Sequence, residues 1–371
     1  MEVKKMSEWS LDGTTFIVNG VLDGPTADAM ISAMKAGGTY VLDLDGVTDI
    51  KFAALRRLLR ARQKGLHFSA VNASPAVAEK FEDTGVSAFI PVCRRPKPLQ
   101  REVWAEFGQS YLSKSYNSAD GDSMIKIYDD RVPKQLVAQE KMVARAVMCF
   151  GLPTPLVGTL YEDASGTALD FERIEGKRSF SRIVSEEPGR LDEIGRRFAR
   201  MCRRLHETPC DTAIFSDRKM FYRRALAACS ELSTEEKAKV SAFIDKIPAA
   251  TTCLHGDMQL SNVITDGTED LWIDLSDFGY GYPLLDMGMW YFQCQLNDER
   301  HTLNLFHLTL NDMRRLWDVF VEEYFQAGTA AEKESVARSV EPYAALHMLY
   351  LGSTYGFAPG MIEFVKEKLC V

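Results

Sequence analysis

No uninterrupted apolar run in the sequence approaches the ~18 residues that a membrane span needs. Its eight cysteines, Cys93, Cys149, Cys202, Cys210, Cys229, Cys253, Cys294 and Cys370, include no C-x-x-C pair and no histidine at ligand spacing. They read as reduced, mostly buried thiols of a cytoplasmic protein. Cationic excess is missing as well: the net charge is −8, and binding to a polyanion runs on clustered lysine and arginine, so nucleic acid is not an expected partner. The opening MEVKKMSEWSLDG has no apolar core for a signal peptide, and Cys370 stands second from the end, not fourth as a prenylation box requires. What remains is an ordinary globular composition, 46% hydrophobic and 26% charged over 371 residues, with room for two or three domains.

The most informative stretch runs from Cys253 to Gly288, CLHGDMQLSNVITDGTEDLWIDLSDFGYGYPLLDMG. Asp257 is followed by four residues and then Asn262, the D-x-x-x-x-N interval of a catalytic loop in which the acid takes a hydroxyl proton and the amide holds Mg²⁺. Between Asn262 and Asp274 the pattern predicts a hairpin, Val263 and Ile264, a turn at Asp266-Gly267, then Leu271 to Ile273. Such a hairpin brings Asn262 and Asp274 together as two oxygen ligands for a hard cation. Ordinary turn chemistry also favours Asp, Asn and Gly, but it does not demand these spacings together.

HGDMQLSN followed by WIDLSDFGYGYPLLD resembles the aminoglycoside phosphotransferase and choline kinase family, with its H-G-D-x-x-x-x-N, then I-D, then G-x-P-x-x-D. The resemblance, from about residue 105 onward, implies an α+β, protein-kinase-like bilobal fold with a small β-rich lobe at about 105–175 and a helical lobe at 176–371. It implies transfer of a phosphate from ATP (or GTP), with Mg²⁺, to the hydroxyl of a small molecule that is aminoglycoside-, choline- or sugar-like. Asp257 would be the base, Asn262 and Asp274 the metal ligands, and His255 and Asp286 structural supports of the loop. Asp277-Phe278-Gly279 spells the protein-kinase metal motif, yet Asp274 directly follows the strand pattern, lies twelve residues past Asn262 and matches the I-D position.

Upstream, Met124 to Tyr128 is a predicted strand with Lys126 facing away from Ile125 and Ile127, and Gln135 to Phe150 a predicted helix whose only acid is Glu140. The kinase reading makes Lys126 the phosphate anchor and Glu140 its partner; an edge-strand surface lysine is the alternative. Thr167 to Gly176 resembles the hinge that receives the purine, with backbone groups of Phe171, Glu172 and Ile174 as its contacts. Residues 107–121, FGQSYLSKSYNSADG, offer only Gly108 and Gly121 in place of a glycine-rich loop; cover from Ser113, Ser115 or backbone amides is the remaining source. Leu191 to Glu207 is an amphipathic helix ending at His206, which reads as a capping or packing residue. Beyond Gly288, aromatic residues at helix spacing read as core, with a cage for a cationic head group as the alternative and Glu299, Glu322 and Glu323 as acids suited to an amine.

Residues 10–92 alternate strands and helices as a small α/β domain. FIVNGVLDGPTADAM, VLDLDGVTDIKFAALRRLL and AVNASPAVAEKFEDTGV resemble the STAS fold of anti-sigma-factor antagonists. Where regulatory members carry D-S-S-G, this chain has Lys51-Phe52-Ala53-Ala54, so no hydroxyl is offered for phosphorylation and a docking or self-association module is implied. The proline- and charge-rich 93–103 places the boundary, giving a domain at 1–97 and a second at 98–371. A protein kinase or a non-catalytic nucleotide sensor acting through the STAS-like domain are the competing readings; Asp274 runs into GYGYPLLD with no activation segment, against the first, and the intact Lys126, Asp257, Asn262 and Asp274 argue against the second.

Overall fold

The structure, a computed structural model, describes residues 8–98, 104–109, 113–118, 123–163 and 166–370. Residues 99–103 of the linker and 110–112 and 119–122 of the expected phosphate cover, Gly121 among them, lie outside the described residues. The fold is mixed α+β and divides into two compact units, one built from the residues up to Cys149 with Pro155–Arg173, the other from Phe150–Thr154 and the residues from Ile174 on.

The first unit holds two sheets. One runs β1 (Glu8–Asp12), β2 (Thr15–Leu22), β3 (Thr39–Ile50), β4 (His67–Ala73) and β5 (Val92–Arg94) in that spatial order, all neighbours parallel except the β1–β2 hairpin. Its crossover helices are α1 (Gly24–Ser32), α2 (Phe52–Gln63) and α3 (Pro75–Asp83). Asp23 caps α1 by accepting from the Thr26 amide, and Ser74 caps α3 ahead of Pro75. Strand alternation sends Leu42 and Leu44 of β3 and Phe68 and Ala70 of β4 into one core with Met30, Leu55, Leu58 and Phe81 of the helices. Helix α1 ends at Ser32, and Gly37, at φ 72°, helps turn the chain into β3.

The second sheet has the order β6 (Lys97–Pro98), β10 (Val157–Asp163), β11 (Gly166–Glu172), β9 (Ser123–Tyr128), β8 (Ser113–Ser118) and β7 (Trp104–Gln109), antiparallel apart from β6–β10. Helix α4 (Lys134–Cys149) crosses between β9 and β10. Its Val137, Ala138 and Met142 form a core with Leu160 and Leu169 of this sheet and with Val71 and Cys93 of the first, so α4 lies between two sheets.

The second unit is mostly helical: β12 (Arg178–Ser179), α5 (Phe180–Glu186), α6 (Leu191–Glu207), α7 (Arg218–Ala228), α8 (Thr234–Lys246), β13 (Thr252–Leu254), β14 (Val263–Thr265), β15 (Asp270–Trp272), β16 (Gly279–Gly281), α9 (Leu284–Tyr291), α10 (Glu299–Phe306), α11 (Leu310–Tyr324), α12 (Ala330–Tyr355) and α13 (Met361–Leu369). The apolar stripe of α6 buries Leu191, Ile194, Phe198 and Leu205, and Phe198 meets Trp272, Trp290 and Phe320 at centroid distances of 5.9, 5.0 and 5.8 Å. Trp290, Phe306 and Phe320 are fully buried; these rings build the core of the helical unit. Among the described residues no helix is long and apolar enough to cross a membrane.

Candidate functional site

Two short sheets hold the loop between Leu254 and Val263. Strand β13, which leads into it, pairs with β16, which follows Phe278, and β14, which leaves it, pairs with β15 in the register Val263↔Trp272. The Ile273 amide donates to the Asn262 carbonyl at 3.0 Å, which brings the chain at Asp274 back beside Asn262. Asp274 itself is left-handed, φ 60° and ψ 60°. A non-glycine residue in that region stores strain of order 1–3 kcal/mol, and such outliers gather at functional sites.

Asp257 sits inside a ring of amide donors. Its Oδ2 accepts from Asn262 Nδ2 at 2.8 Å and from Gln259 Nε2 at 3.0 Å, while Asn262 Nδ2 also reaches the Asp257 carbonyl at 2.9 Å. No described residue donates to its Oδ1, which is the oxygen left to take a proton. The same bonds orient Asn262: with the amide nitrogen spent on Asp257, the carbonyl oxygen Oδ1 is left as a hard donor. The Asn262 amide oxygen and the carboxylate of Asp274, whose backbone returns beside Asn262, are both oxygen donors of the kind that suits Mg²⁺.

Burial pushes the Asp257 carboxyl above its usual range and the neighbouring Asp274 and Asp277 push it further up, while the hydrogen bond from Asn262 opposes them. A carboxylate can act as a base only when ionised, so if Asp257 is the base the rate should fall as pH drops through this raised value, earlier than for an ordinary aspartate. Asp277→Asn removes one of the two like charges and should therefore move the acid limb of the kcat/KM profile to lower pH. A limb that stays put or moves up contradicts this arrangement.

Beneath the loop lies a buried hydrogen-bond relay. Asp286, on α9, accepts from the His255 amide at 2.7 Å and the Gly256 amide at 3.0 Å, and its Oδ2 meets His206 Nε2 at 3.1 Å. The other nitrogen of His206 meets the Tyr324 hydroxyl at 2.8 Å. Burial alone would raise the Asp286 carboxyl, but the contacts to His206 and His255 outweigh it and hold the group below the usual carboxylate range. The His255 ring accepts from the Asp257 amide at Nδ1, 3.3 Å, so Nε2 carries the proton and donates to the Ile273 carbonyl at 3.1 Å. One imidazole thereby ties the catalytic loop to the hairpin return.

Gly256 is glycine for a steric reason. Its φ is 81°, and a Cβ there would collide with the Asp277 carbonyl oxygen and come within 2.9 Å of Arg218 Cζ. Arg218, buried at the start of α7, reaches Asp277 and the Gly256 carbonyl at 3.5 Å each and lies 3.9 Å from the Phe221 ring centroid. Neither Arg218 nor Gln259 stands out in the sequence. Gln259 had a weak signal, an amide two residues past the acid inside the loop; Arg218 is 38 residues before Gly256 in the chain and had none. His206, which sequence reasoning leaves as a cap, braces Asp286. The acids considered for an amine are engaged within the fold: Glu322 with Lys333, Glu323 with Arg200, and Glu299 with the Leu310 amide.

In the first unit, Lys126 Nζ lies 3.2 Å from Glu140 Oε1, and Glu140 is 7% exposed. A lysine in the strand Ile125-Lys126-Ile127 thus meets an acid on α4, across fourteen residues. Phe171 and Glu172 end β11, paired with Met124 and Ser123. The Glu172 amide donates to the Leu156 carbonyl at 2.8 Å and its carboxylate accepts from the Leu156 amide at 3.0 Å. Ile174 follows as the first residue of the second unit after Arg173.

The model of the phosphotransferase enzyme family, APH, matches residues 110–331, more than half of the chain. The chain belongs to that family. It is a phosphotransferase. Among curated proteins none matches it. Solved structures similar to this phosphotransferase include the ADP-bound aminoglycoside phosphotransferase APH(2'')-Ib, 16% identical over 79% of this chain and 96% of that one, TM-score 0.47. Another is a thermostable mutant of aminoglycoside phosphotransferase APH(4)-Ia in complex with ADP and hygromycin B, 12% identical over 72% and 90%, TM-score 0.48. A third is a choline/ethanolamine kinase family protein from Mesorhizobium loti, 15% identical over 72% and 85%, TM-score 0.43.

Proposed function

We propose that this phosphotransferase is a cytoplasmic small-molecule kinase that moves the γ-phosphate of ATP (or GTP) to an alcohol on an aminoglycoside-, choline- or sugar-like acceptor. The observation that carries the reading is the state of Asp257: two amides hold its Oδ2 while no donor among the described residues meets Oδ1, the condition of a general base open to a hydroxyl. Asp257 accepts the acceptor's proton at Oδ1 as the hydroxyl oxygen bonds to the γ-phosphorus and the bond from that phosphorus to the β,γ-bridging oxygen breaks. Asn262 and Asp274 would hold Mg²⁺, which when bound offsets the charge on the phosphate oxygens. Lys126, oriented by Glu140, serves as the phosphate anchor, and Phe171, Glu172 and Ile174 line the purine side. His255 and Asp286 keep the loop in place.

Residues 1–97 are read as a STAS-like domain and 98–371 as the kinase domain, with the small lobe at about 105–175. The parallel sheet with three helices on one face supports this reading. Phe52, 67% exposed at the start of α2, stands where the regulatory members offer a serine, so docking or self-association that needs no phosphorylation is the assigned role. The test is a metabolite-alcohol library scored for ATP consumption and for a new phosphate monoester, run in parallel with Asp257→Asn. Phosphorylation of at least one alcohol by the native chain and not by the variant supports the proposal; nucleotide binding without any acceptor-dependent turnover refutes it.

A further inference from the structure

A two-layer α/β body covers one face of its sheet with its own helices and leaves the other to be covered by something else. In β3, Leu42 and Leu44 point to α1, α2 and α3, so Val41 and Asp43 point the opposite way. That second face, with Val41, Val71 and Cys93, shares a core with Val137, Ala138 and Met142 of α4. The polar end of the contact is specific. Asp43, 8% exposed, accepts from Asn72 Nδ2 at 3.0 Å and the Asp45 amide at 3.1 Å through Oδ1, and from Gln135 Nε2 of α4 at 3.4 Å through Oδ2. Asn72 is held left-handed, φ 57°, in delivering its amide. Gln135 lies in the first turn of α4, five residues before Glu140.

We propose that this second sheet face is a fixed seat for α4, and that Asp43 and Gln135 are positioning residues that act on nucleotide binding through the Lys126–Glu140 pair. The physical reason is that Glu140 reaches Lys126 Nζ from α4 at 3.2 Å, so a rigid-body shift of the helix changes that distance directly. A helix packed on one sheet can slide along it; one packed between two sheets, with a buried carboxylate fixing its first turn, cannot. The inference rests on the reading of Lys126 as the phosphate anchor.

The experiment is a thermodynamic cycle in the full-length chain with Asp43→Ala, Gln135→Ala, Glu140→Gln and the two doubles that add Glu140→Gln, read as KM for ATP, kcat and thermal midpoint. Asp43→Ala and Gln135→Ala should each raise KM for ATP about three- to tenfold with kcat within about twofold, and neither should raise it further once Glu140→Gln is present. Gln135 carries the test if Asp43→Ala fails to fold, because it is only half-buried. A fall in thermal midpoint with KM unchanged makes the contact merely structural and overturns the proposal, as does a full additive effect in the doubles. If Glu140→Gln itself leaves KM unchanged, the anchor reading falls and this inference with it; if Glu140→Gln raises KM while Asp43→Ala and Gln135→Ala do not, only this inference falls.

Discussion

Replacing Asp257 by Asn is expected to reduce turnover by several orders of magnitude while leaving Mg-nucleotide affinity within a few-fold of the native protein. The substitution keeps size and removes only the ability to accept a proton, and general-base assistance is typically worth ~10²–10⁴ in rate. An amide at this position can keep both contacts from Asn262 and Gln259 by placing its oxygen where Oδ2 now is; its NH2 group then stands where Oδ1 would take the proton, and it has no lone pair to take it. Nucleotide affinity is spared because the phosphates are assigned to Lys126 and to a cation on Asn262 and Asp274, not to Asp257. Single-turnover kinetics with equilibrium nucleotide binding checks this, and turnover within tenfold of the native chain removes Asp257 from the role of base.

A second large effect should follow from Asp286→Ala. The carboxylate is 2% exposed and satisfies two backbone amides and His206. Removing it leaves those donors buried without an acceptor, and breaking a buried pair of this kind costs about 3–5 kcal/mol. Activity should fall too, since the two amides belong to the residues just before Asp257, and a displacement of about 1 Å at a reacting group costs ~10²-fold. The sign of the pH dependence follows from the depressed carboxyl. The contribution is fully present above the unfolded-state carboxylate pKa and is lost as pH falls through the lower folded value. Denaturant unfolding of the native and variant chains at neutral and acid pH would show the stability gap narrowing on acidification; a gap that is small at neutral pH, or that widens in acid, excludes this account of the relay.

Helices with a strong period were legible from residues alone. Leu191–Glu207 has the bounds that its apolar spacing indicated, and the helix expected over Gln135–Phe150 runs Lys134–Cys149. The hairpin was legible because β14 and β15 are neighbours in sequence and need only a short turn. Other features depend on pairings between distant segments, which no local pattern encodes. His206 meets Asp286 across eighty residues and Tyr324 across 118. Arg218 occupies space that Gly256 leaves, and neither residue announces the other in the chain. The double-faced packing of α4 was hidden because its apolar residues read as one amphipathic stripe, and a stripe does not say how many surfaces it meets. The order of Asp257, Asn262 and Asp274 was readable; which oxygen of Asp257 is held and which is left open was not, since it depends on the rotamers of two amides.

On the polar side of α6, Arg197 pairs with Asp270 at the start of β15. Beside it, Arg203 donates to the Glu323 and Tyr324 carbonyls, and Arg204 to that of Gly151. Several of these acceptors are carbonyls and carry no signature in sequence.

The central claim is that a cation-dependent nucleotide site is built on Asn262 and the residue that ends the hairpin return. The most direct measurement is an Mg²⁺ titration of ATP binding to the native chain, Asp274→Ala and Asp277→Ala. Asp274 carries the left-handed backbone beside Asn262, whereas Asp277 sits in the next turn with its carboxylate 37% exposed beside Arg218. Asp274→Ala should abolish Mg²⁺-dependent binding, and Asp277→Ala should keep the native Mg²⁺ dependence and at most raise the acceptor KM. Native Mg²⁺ dependence in Asp274→Ala together with its loss in Asp277→Ala would place the cation on the Asp277-Phe278-Gly279 motif and contradict the account.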